Sequence, residues 1–352
     1  MSDLSKSSPP IFAAGFEPAL AEAFFAELGA PRYRAAQLLN WVYKRSAVSF
    51  EEMTDFPRAL REQLVGKIAL SSVTELKLRE ARDGTVKVLL GLYDGRTIEA
   101  ALIPATRTGG YTVCLSTQVG CPVGCPFCAT GGQEFERNLL PAEIIDQVRY
   151  FKRYLGERGT ITNLVFMGMG EPLANYDHLF KALAILNAPF GLGIGARNMT
   201  LSTAGLVPGI DKLSREKLQV GLAISLHAAN DILRSQLVPI NQKYPLNQLI
   251  SAARRYVTLS GRRVSFEYCL FAGVNDSLPQ ARELAHLIKG INAHVNLIAA
   301  NGAYASYSAP PREAVLAFEG ELRRLGLNVT LRRSYGREIE AGCGQLKSAV
   351  GA

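Results

Sequence analysis

Between residues 112 and 332, segments that favour strands alternate with segments that favour helices, and this alternation constrains the fold more than any other feature. The strand-like runs are residues 112–118, 161–167, 199–202, 220–226, 264–270, 293–298 and 328–332. The helical runs between them are residues 141–155, 177–187, 246–259, 278–288 and 312–325. Such alternation is typical of right-handed βαβ units around a parallel sheet. It predicts an α/β fold, a full or partial TIM barrel with its reactive groups in the loops after the strands.

The chain before this barrel divides into two parts. Residues 1–70 carry apolar residues at helical spacing, in runs at 18–28, 34–44 and 50–68. Two β-rich runs then meet at Asp94-Gly95, a strong signal for a hairpin. The predicted organisation is a helical, RNA-contacting accessory module over 1–70, a β-hairpin extension and connector over 71–110, the core barrel over 111–333 and a C-terminal tail over 334–352.

Charge and hydropathy limit the kinds of partner that the protein can have. The 39 Lys and Arg residues exceed the 31 Asp and Glu residues, which favours an anionic partner such as RNA, although many proteins are mildly basic without one. Candidate phosphate contacts are Arg32, Arg34, Arg254, Arg255, Arg262, Arg263, Arg332, Arg333 and Arg337. No apolar run is long enough to cross a bilayer, and residues 1–10 lack the apolar segment of a signal peptide. We therefore expect a cytoplasmic protein with no membrane association.

Four of the six cysteines lie within fifteen residues, which indicates metal or redox chemistry. Cys121, Cys125 and Cys128 have the spacing C-x3-C-x2-C in the loop after the first barrel strand. Three thiolates would bind an iron–sulfur cluster and leave one iron open, as catalytic metal sites require. The alternative is a zinc site with Cys114 as the fourth ligand, but zinc sites usually draw a second pair of ligands from farther along the chain. The spacing favours the cluster.

Polar groups follow the next three barrel strands. Gly168-Met-Gly-Glu171-Pro172 follows the second, Ser202-Thr203 ends the third, and Ser225-Leu-His227 ends the fourth. Each signal alone is weak, because glycine-rich loops are usually turns and a single histidine is more often structural. Together they predict a site for a ligand with an amino-acid head and a ribose, such as S-adenosylmethionine (SAM), beside the cysteine loop.

Five ordered blocks resemble the RlmN/Cfr family of radical SAM RNA methyltransferases. They are Thr117-Gln-Val-Gly-Cys-Pro-Val-Gly-Cys-Pro-Phe-Cys-Ala-Thr-Gly131, Phe166-Met-Gly-Met-Gly-Glu-Pro-Leu173, Ile224-Ser-Leu-His227, Val238-Pro-Ile-Asn241 and Ala341-Gly-Cys-Gly-Gln-Leu346. The resemblance implies a radical SAM partial (β/α)6-type barrel with one [4Fe–4S] cluster on Cys121, Cys125 and Cys128. It assigns the SAM contacts to Gly170, Glu171, Ser202, Ser225, Leu226, His227 and Asn301.

The same resemblance implies methylation of an adenine ring carbon, which is no nucleophile and therefore needs radical chemistry. Two SAM molecules are used per turnover: one methylates Cys343, and the other yields a 5′-deoxyadenosyl radical that takes hydrogen from the methylated cysteine. The resulting carbon radical adds to adenine, Glu99 accepts the ring proton, and Cys114 attacks the sulfur to form a transient disulfide. From the residue pattern alone, Glu99 would be a surface strand residue and Cys269 a buried one without a role.

The implied substrate is an adenosine in the peptidyl-transferase region of 23S rRNA, with an anticodon-adjacent adenosine in tRNA as a second substrate. A base that undergoes chemistry must leave its stack and enter a pocket. Pro172 favours methylation at C2, as in RlmN, because Cfr-like sequences carry alanine there and methylate C8. We expect a monomer that takes electrons from flavodoxin or ferredoxin. A C8 methyltransferase and a non-catalytic, zinc-stabilised RNA-binding protein stay open as alternatives.

Overall fold

The computed structural model describes residues 9–105, 109–301 and 307–347. The outer ends of the predicted accessory module and tail, and residues 106–108 of the predicted connector, lie outside the described residues. Within the described ranges, no helix is long and apolar enough to cross a membrane.

A ten-stranded sheet organises the described chain. The strands are β1 (Val73–Glu80), β2 (Val86–Leu92), β3 (Thr97–Ala105), β4 (Gly110–Cys114), β5 (Gln118–Val119), β6 (Arg137–Asn138), β7 (Ile161–Phe166), β8 (Met199–Thr203), β9 (Gly221–Ser225), β10 (Val264–Leu270), β11 (Ala293–Ala299) and β12 (Val329–Arg332). The sheet has the order β1-β2-β3-β4-β7-β8-β9-β10-β11-β12, and β5 and β6 form a separate ribbon. Strands β1 to β4 pair antiparallel, whereas β4 and β7 to β12 run parallel.

Helices connect the parallel strands. The α-helices are α1 (Pro18–Glu27), α2 (Tyr33–Leu39), α3 (Arg58–Leu64), α4 (Pro141–Leu155), α5 (Tyr176–Asn187), α6 (Val207–Leu213), α7 (Asp231–Leu237), α8 (Leu246–Ser260), α9 (Leu278–Leu287) and α10 (Arg312–Arg324). Each step from β4 to β12 along the sheet passes through at least one of α4 to α10. The predicted partial barrel of six βα units is confirmed, with β12 as a seventh parallel strand.

The structure departs from the predicted elements in three places. The strand predicted over 112–118 ends at Cys114, and the chain then joins the β5–β6 ribbon that carries the cysteine loop. The helical run predicted over 50–68 is a 3-10 turn followed by α3, because Pro57 disfavours helix at the residue before it and starts a new one. Helices α6 and α7 were not predicted, since seven residues are too few to show a helical period.

A buried arginine on α4 connects the N-terminal helices to the barrel. The Arg149 guanidinium donates to the backbone oxygens of Val42, Ala47 and Leu70 at 2.7 to 2.8 Å, and it pairs with Asp146. Such a fully satisfied buried cation fixes orientation, because removing its partners would leave an unpaired charge. The N-terminal helices and the barrel share one continuous apolar core.

Candidate active site

The cysteine loop lies at the carboxyl end of the barrel, where Cys121, Cys125 and Cys128 line one cavity. Gly120 sets the course of this loop with a φ of +73°, a conformation that favours glycine. A Cβ on Gly120 would lie 1.9 Å from the Glu134 backbone oxygen, so any side chain there would push the two arms of the loop apart. The loop therefore folds back on itself tightly enough to turn three thiols toward the same space.

The three thiols suit an iron–sulfur cluster. Burial raises the pKa of Cys121 to about 12 and that of Cys125 well above its ordinary value, and the neighbouring thiols add to both shifts. Binding of metal must therefore displace protons from these groups. Within the described ranges, no three His, Cys, Asp or Glu side chains are arranged to hold a single metal ion. A four-iron cluster is larger than one ion, and its thiolates surround it instead of converging on one point.

The cavity has room for a ligand as well as a cluster. The empty space between its walls, including the open mouth, is about 1160 Å³. Its wall joins the cysteine loop to the ends of β7, β8, β9, β10 and β11 and to the C-terminal tail. The site-forming face is thus the one that the barrel topology predicts.

The loop after β7 brings Gly170 and Glu171 to the cavity. Gly170 has a φ of +103°, and a Cβ there would lie 2.6 Å from the Gln118 Cβ, so only glycine fits. The buried Glu171 carboxylate accepts hydrogen bonds from the backbone N–H groups of Ala204 at 2.7 Å and Leu173 at 3.1 Å. Burial nevertheless raises the pKa of Glu171 to about 7, and the bond from Ala204 opposes the rise. Glu171 can therefore gain or lose a proton near neutral pH.

His227 presents a neutral imidazole to the cavity. Burial, together with the charge of Arg234, lowers the pKa of His227 to about 3. Its Nδ1 accepts a hydrogen bond from the Cys269 backbone N–H at 3.0 Å, so the ring proton is on Nε2. The residue has a φ of +59°, which is rare outside glycine and is typical of functional sites. His227 therefore offers one fixed hydrogen-bond donor.

Two serines and an asparagine complete the polar wall. The hydroxyl oxygens of Ser202 and Ser225 lie 3.5 Å apart on neighbouring strand ends. The buried Oδ1 atom of Asn301 has no hydrogen-bond partner among the described residues, although Asn301 Nδ2 donates to the Cys343 backbone oxygen at 3.3 Å. A buried acceptor without a partner costs free energy until a ligand satisfies it. Asn301 therefore fits a polar ligand held in the cavity.

The C-terminal tail is fixed to the cavity by backbone hydrogen bonds. The Thr130 hydroxyl donates to the Leu346 oxygen at 2.6 Å, and the Ala129 N–H donates to the Gly344 oxygen at 2.7 Å. Both donors follow Cys128 in the cysteine loop. The tail therefore holds Cys343, an exposed residue, at the cavity wall.

Cys114 and Cys343 are close enough to influence each other electrostatically. Cys114, the last residue of β4, has a pKa raised to about 12 by burial and by Cys343. Burial of the thiol also raises the pKa of Cys343, although the residue as a whole is exposed. The Arg332 guanidinium opposes both shifts and donates to the buried Glu267 carboxylate at 3.3 Å. Two thiols that are 229 positions apart in the chain thus share one positive neighbour.

Glu99 lies outside this cavity, on the adjoining face of β3. It is only 9% exposed, so the surface position that its residue pattern predicted is wrong. Lys87 Nζ lies 3.0 Å from Glu99 Oε1, and the Lys347 backbone N–H donates to Oε2 at 3.0 Å. Lys87 also donates to the Glu340 backbone oxygen at 3.2 Å. The tail that carries Cys343 is thereby bonded on both sides of Cys343 to the Glu99–Lys87 pair.

Most of the predicted site residues come together. The three cluster cysteines, Cys343 and the predicted SAM contacts line the cavity, except Leu226. The Leu226 side chain is buried in the apolar core. Cys269, predicted to be a buried strand residue, instead lies half-exposed on the cavity wall. Sequence reasoning missed Glu267, whose signal was a single acid within the apolar run of β10. It also did not predict that the charge of Arg332 acts on both thiols.

Comparisons with known proteins agree with this geometry. The radical SAM superfamily model matches residues 115–285, and the model of the ribosomal RNA large subunit methyltransferase N-terminal domain matches residues 14–70. A probable dual-specificity RNA methyltransferase RlmN from Bacillus cytotoxicus is 45% identical over 324 residues, which cover 92% of this chain and 89% of that protein. Another from Heliobacterium modesticaldum is 46% identical and covers 98% of this chain and 91% of that protein.

A solved structure gives the same result. The crystal structure of a radical SAM methyltransferase from Sphaerobacter thermophilus has a TM-score of 0.93 at 46% identity, covering 96% of this chain and 99% of that one. Radical SAM enzymes hold a [4Fe–4S] cluster on cysteines and use SAM, so the zinc-stabilised binding protein is not supported. The chain therefore belongs to the RlmN family of radical SAM methyltransferases and is a SAM-dependent RNA methyltransferase.

Proposed function

We propose that this enzyme methylates C2 of an adenosine in the peptidyl-transferase region of 23S rRNA, with Cys343 as the methyl carrier. The observation that carries the proposal is the position of Cys343. The tail brings this thiol to the cysteine-loop cavity, beside Cys114, and is bonded to Glu99. The relatives are named RNA methyltransferases, which supports RNA as the substrate class.

The cavity would hold the cluster and SAM. When bound on Cys121, Cys125 and Cys128, the cluster supplies the electron that makes SAM a source of radicals. The wall offers a neutral donor at His227 and an unpartnered acceptor at Asn301 for a polar ligand. Glu171, Ser202 and Ser225 add hydrogen-bonding groups at three strand ends. The rest of the wall is largely apolar, which keeps water from a reactive intermediate.

The two outlying cysteines would act in sequence. Cys343 carries the methyl group that becomes attached to adenine as a methylene bridge. Cys114 then attacks the Cys343 sulfur, so that an S–S bond forms as the sulfur–methylene bond breaks, and the released carbon takes a proton to become the methyl group. Attack requires the Cys114 thiolate, and burial keeps this group protonated at neutral pH. Arg332 favours the thiolate form of both cysteines, since it is a cation held near each by Glu267. Glu99, on the other side of the tail, would accept the ring proton.

Several further properties belong to the same proposal. The resemblance supports an anticodon-adjacent adenosine of tRNA as a second substrate and flavodoxin or ferredoxin as the electron donor. One chain supplies every residue of the proposed site, so a monomer suffices. All six cysteines lie among the described residues as free thiols, which suits the reducing cytoplasm.

The C2 and C8 products distinguish the two branches of the family. Pro172 lines the cavity next to Glu171, which supports the C2 assignment, and the relatives reported above carry the RlmN name. Mass spectrometry of nucleosides from rRNA treated with the anaerobically purified enzyme should give 2-methyladenosine. A main product of 8-methyladenosine would overturn the C2 assignment.

A cysteine variant tests the methyl carrier. Cys343→Ala should abolish methyl transfer while keeping about four irons per chain, because the cluster depends on the other three cysteines. Iron content and colour after anaerobic purification serve as the control for folding. Turnover of the variant at the wild-type rate would refute Cys343 as the carrier.

A further inference from the structure

The antiparallel strands β1, β2 and β3 form an extension of the barrel sheet, and one face of this extension continues from the active site. Strand register places Cys114 opposite Ala101, Ala101 opposite Lys87, and Lys87 opposite Arg79. Directly opposed residues in antiparallel strands share a face. The row from β4 to β1 therefore leads from the Cys114 thiol to the cation of Arg79. The other face of the same strands packs into the apolar core.

The neighbouring row on this face contains the proposed proton acceptor. Glu99 lies opposite Leu89, and Leu89 lies opposite Lys77. The two rows and the tail enclose a depression of about 550 Å³ including open solvent. We call it the basic pocket, and four cations line it together with two carboxylates: Lys77, Arg79, Lys87, Lys347, Glu99 and Glu340.

The four cations are not equivalent. Lys87 is only 5% exposed, and it is ion-paired with Glu99 and hydrogen-bonded to the Glu340 backbone oxygen. The exposed side chains of Lys77, Arg79 and Lys347 have no hydrogen-bond or ion-pair partner among the described residues. By contrast, Arg255 on α8 is exposed but is paired with Asp211. Three exposed, unpaired cations therefore line one pocket beside the active site.

We propose that the basic pocket binds a phosphodiester group of the RNA next to the target adenosine. Arginine and lysine are suited to phosphate oxygens, and a pocket that groups three of them offers a phosphate several donors at once. A base removed from its stack brings its own backbone close to the protein. The Lys347 backbone is already bonded to Glu99, so a phosphate held here lies beside the group that would accept the adenine proton. The inference rests on the proposed RNA substrate and on the role of Glu99.

The test is the salt dependence of RNA binding to the intact, cluster-loaded enzyme. Fluorescence anisotropy measures the Kd for a transcribed 23S rRNA fragment that spans the peptidyl-transferase region, at several KCl concentrations. Lys77→Met/Arg79→Met should raise Kd roughly tenfold near physiological salt. The slope of log K against log salt should fall by about 0.7, the contribution of one phosphate contact on a single strand.

A matched variant controls for net charge. Lys181→Met/Arg312→Met removes the same two charges from exposed positions on α5 and α10 that have no partner among the described residues. It should leave the slope unchanged. Equal effects of the two double variants, or no effect of either, would overturn the basic pocket. If Lys77→Met/Arg79→Met loses iron, Lys347→Met replaces it, with a fall in slope of up to about 0.7 expected.

The proposed function has a readout of its own, which is the methylated product. A wild-type enzyme that makes no 2-methyladenosine refutes the proposed function, whereas the comparison of the two double variants still decides whether this pocket binds the RNA backbone.

Discussion

The cysteine-loop cavity and the basic pocket lie on the two sides of one tail, and they use opposite electrostatics. In the cavity, burial suppresses charge: it keeps the His227 imidazole neutral, raises the pKa of Glu171 to about 7 and protonates the cysteines. In the basic pocket, cations outnumber carboxylates and several are exposed. A radical needs surroundings without water, whereas an RNA backbone needs accessible charge. The difference suits a proposed methyl carrier, Cys343, on a separate segment that is bonded to both sides.

The largest expected effect concerns Glu99, the proposed base, which lies in the basic pocket and outside the cavity. Glu99→Gln should lower the rate of RNA methylation in a single turnover by about 10²–10⁴-fold, the usual contribution of a general base. Covalent protein–RNA adduct should accumulate, because radical addition precedes loss of the ring proton in the proposed sequence. Nucleoside mass spectrometry and denaturing gels measure the two outcomes. Glu157→Gln, an exposed carboxylate on the outer surface, is the control, and a rate for Glu99→Gln within threefold of it would remove Glu99 from the mechanism.

A second prediction tests whether the paired lysine of the basic pocket stabilises the fold while an unpaired lysine does not. Lys87→Met should lower the free energy of unfolding by about 3–5 kcal/mol, because it leaves the Glu99 charge buried without its partner. Lys87→Met/Glu99→Leu should recover most of this loss, since no lone charge remains. Lys77→Met on the same face should change stability by less than about 0.5 kcal/mol, as surface substitutions usually do. Urea unfolding measures all three, and equal losses for Lys87→Met and Lys77→Met would contradict the distinction.

Short-range patterns could be predicted from the sequence, and long-range pairings could not. The C-x3-C-x2-C spacing and the polar strand ends each occupy a few consecutive residues, and strand–helix alternation brings them to one face. The Lys87–Glu99 pair instead depends on the register between β2 and β3, and the Glu267–Arg332 pair on residues 65 positions apart. In each pair both residues are ordinary charged residues, so no local sequence pattern indicates that they lie together.

The predicted RNA contacts show the same limit. Arg255 is paired with Asp211, and Arg32 is paired with Glu22. Arg262 and Arg263 lie in a depression at the start of β10, at the opposite end of the barrel from the cavity. The unpaired cations that do gather at the site alternate along β1, at Lys77 and Arg79. Their period-two spacing can be read from the sequence. Their position at the site could not be predicted, because it depends on which face of the extension packs against the tail.

The third prediction concerns protonation in the cavity. The pKa of Glu171 is about 7 in the folded protein against 4.5 when exposed, so the folded state binds more protons between these values. The free energy of unfolding contributed by this group therefore falls as pH rises from 4.5 to 7, by up to ~1.4 kcal/mol per pH unit, and is constant above. His227 has the opposite effect below pH 6.5, because burial lowers its pKa to about 3. Subtracting apoprotein unfolding curves of Glu171→Gln from wild type cancels His227 and isolates Glu171. A difference that does not vary with pH would refute the assignment.

The smallest expected effect concerns the tail that joins the two regions. Thr130→Val removes the hydroxyl that donates to the Leu346 oxygen and leaves that acceptor buried without its partner. The single-turnover rate should fall by about tenfold, equivalent to ~1.4 kcal/mol, because Cys343 is then held less tightly between cavity and pocket. Amides of residues 342–347 should exchange hydrogen faster than in wild type, while Thr258→Val, an exposed position on α8, should change neither quantity. A slower rate without faster exchange would mean that Thr130 acts on the cavity directly, and the tail would then owe its position to its bonds with Glu99 and Lys87 instead.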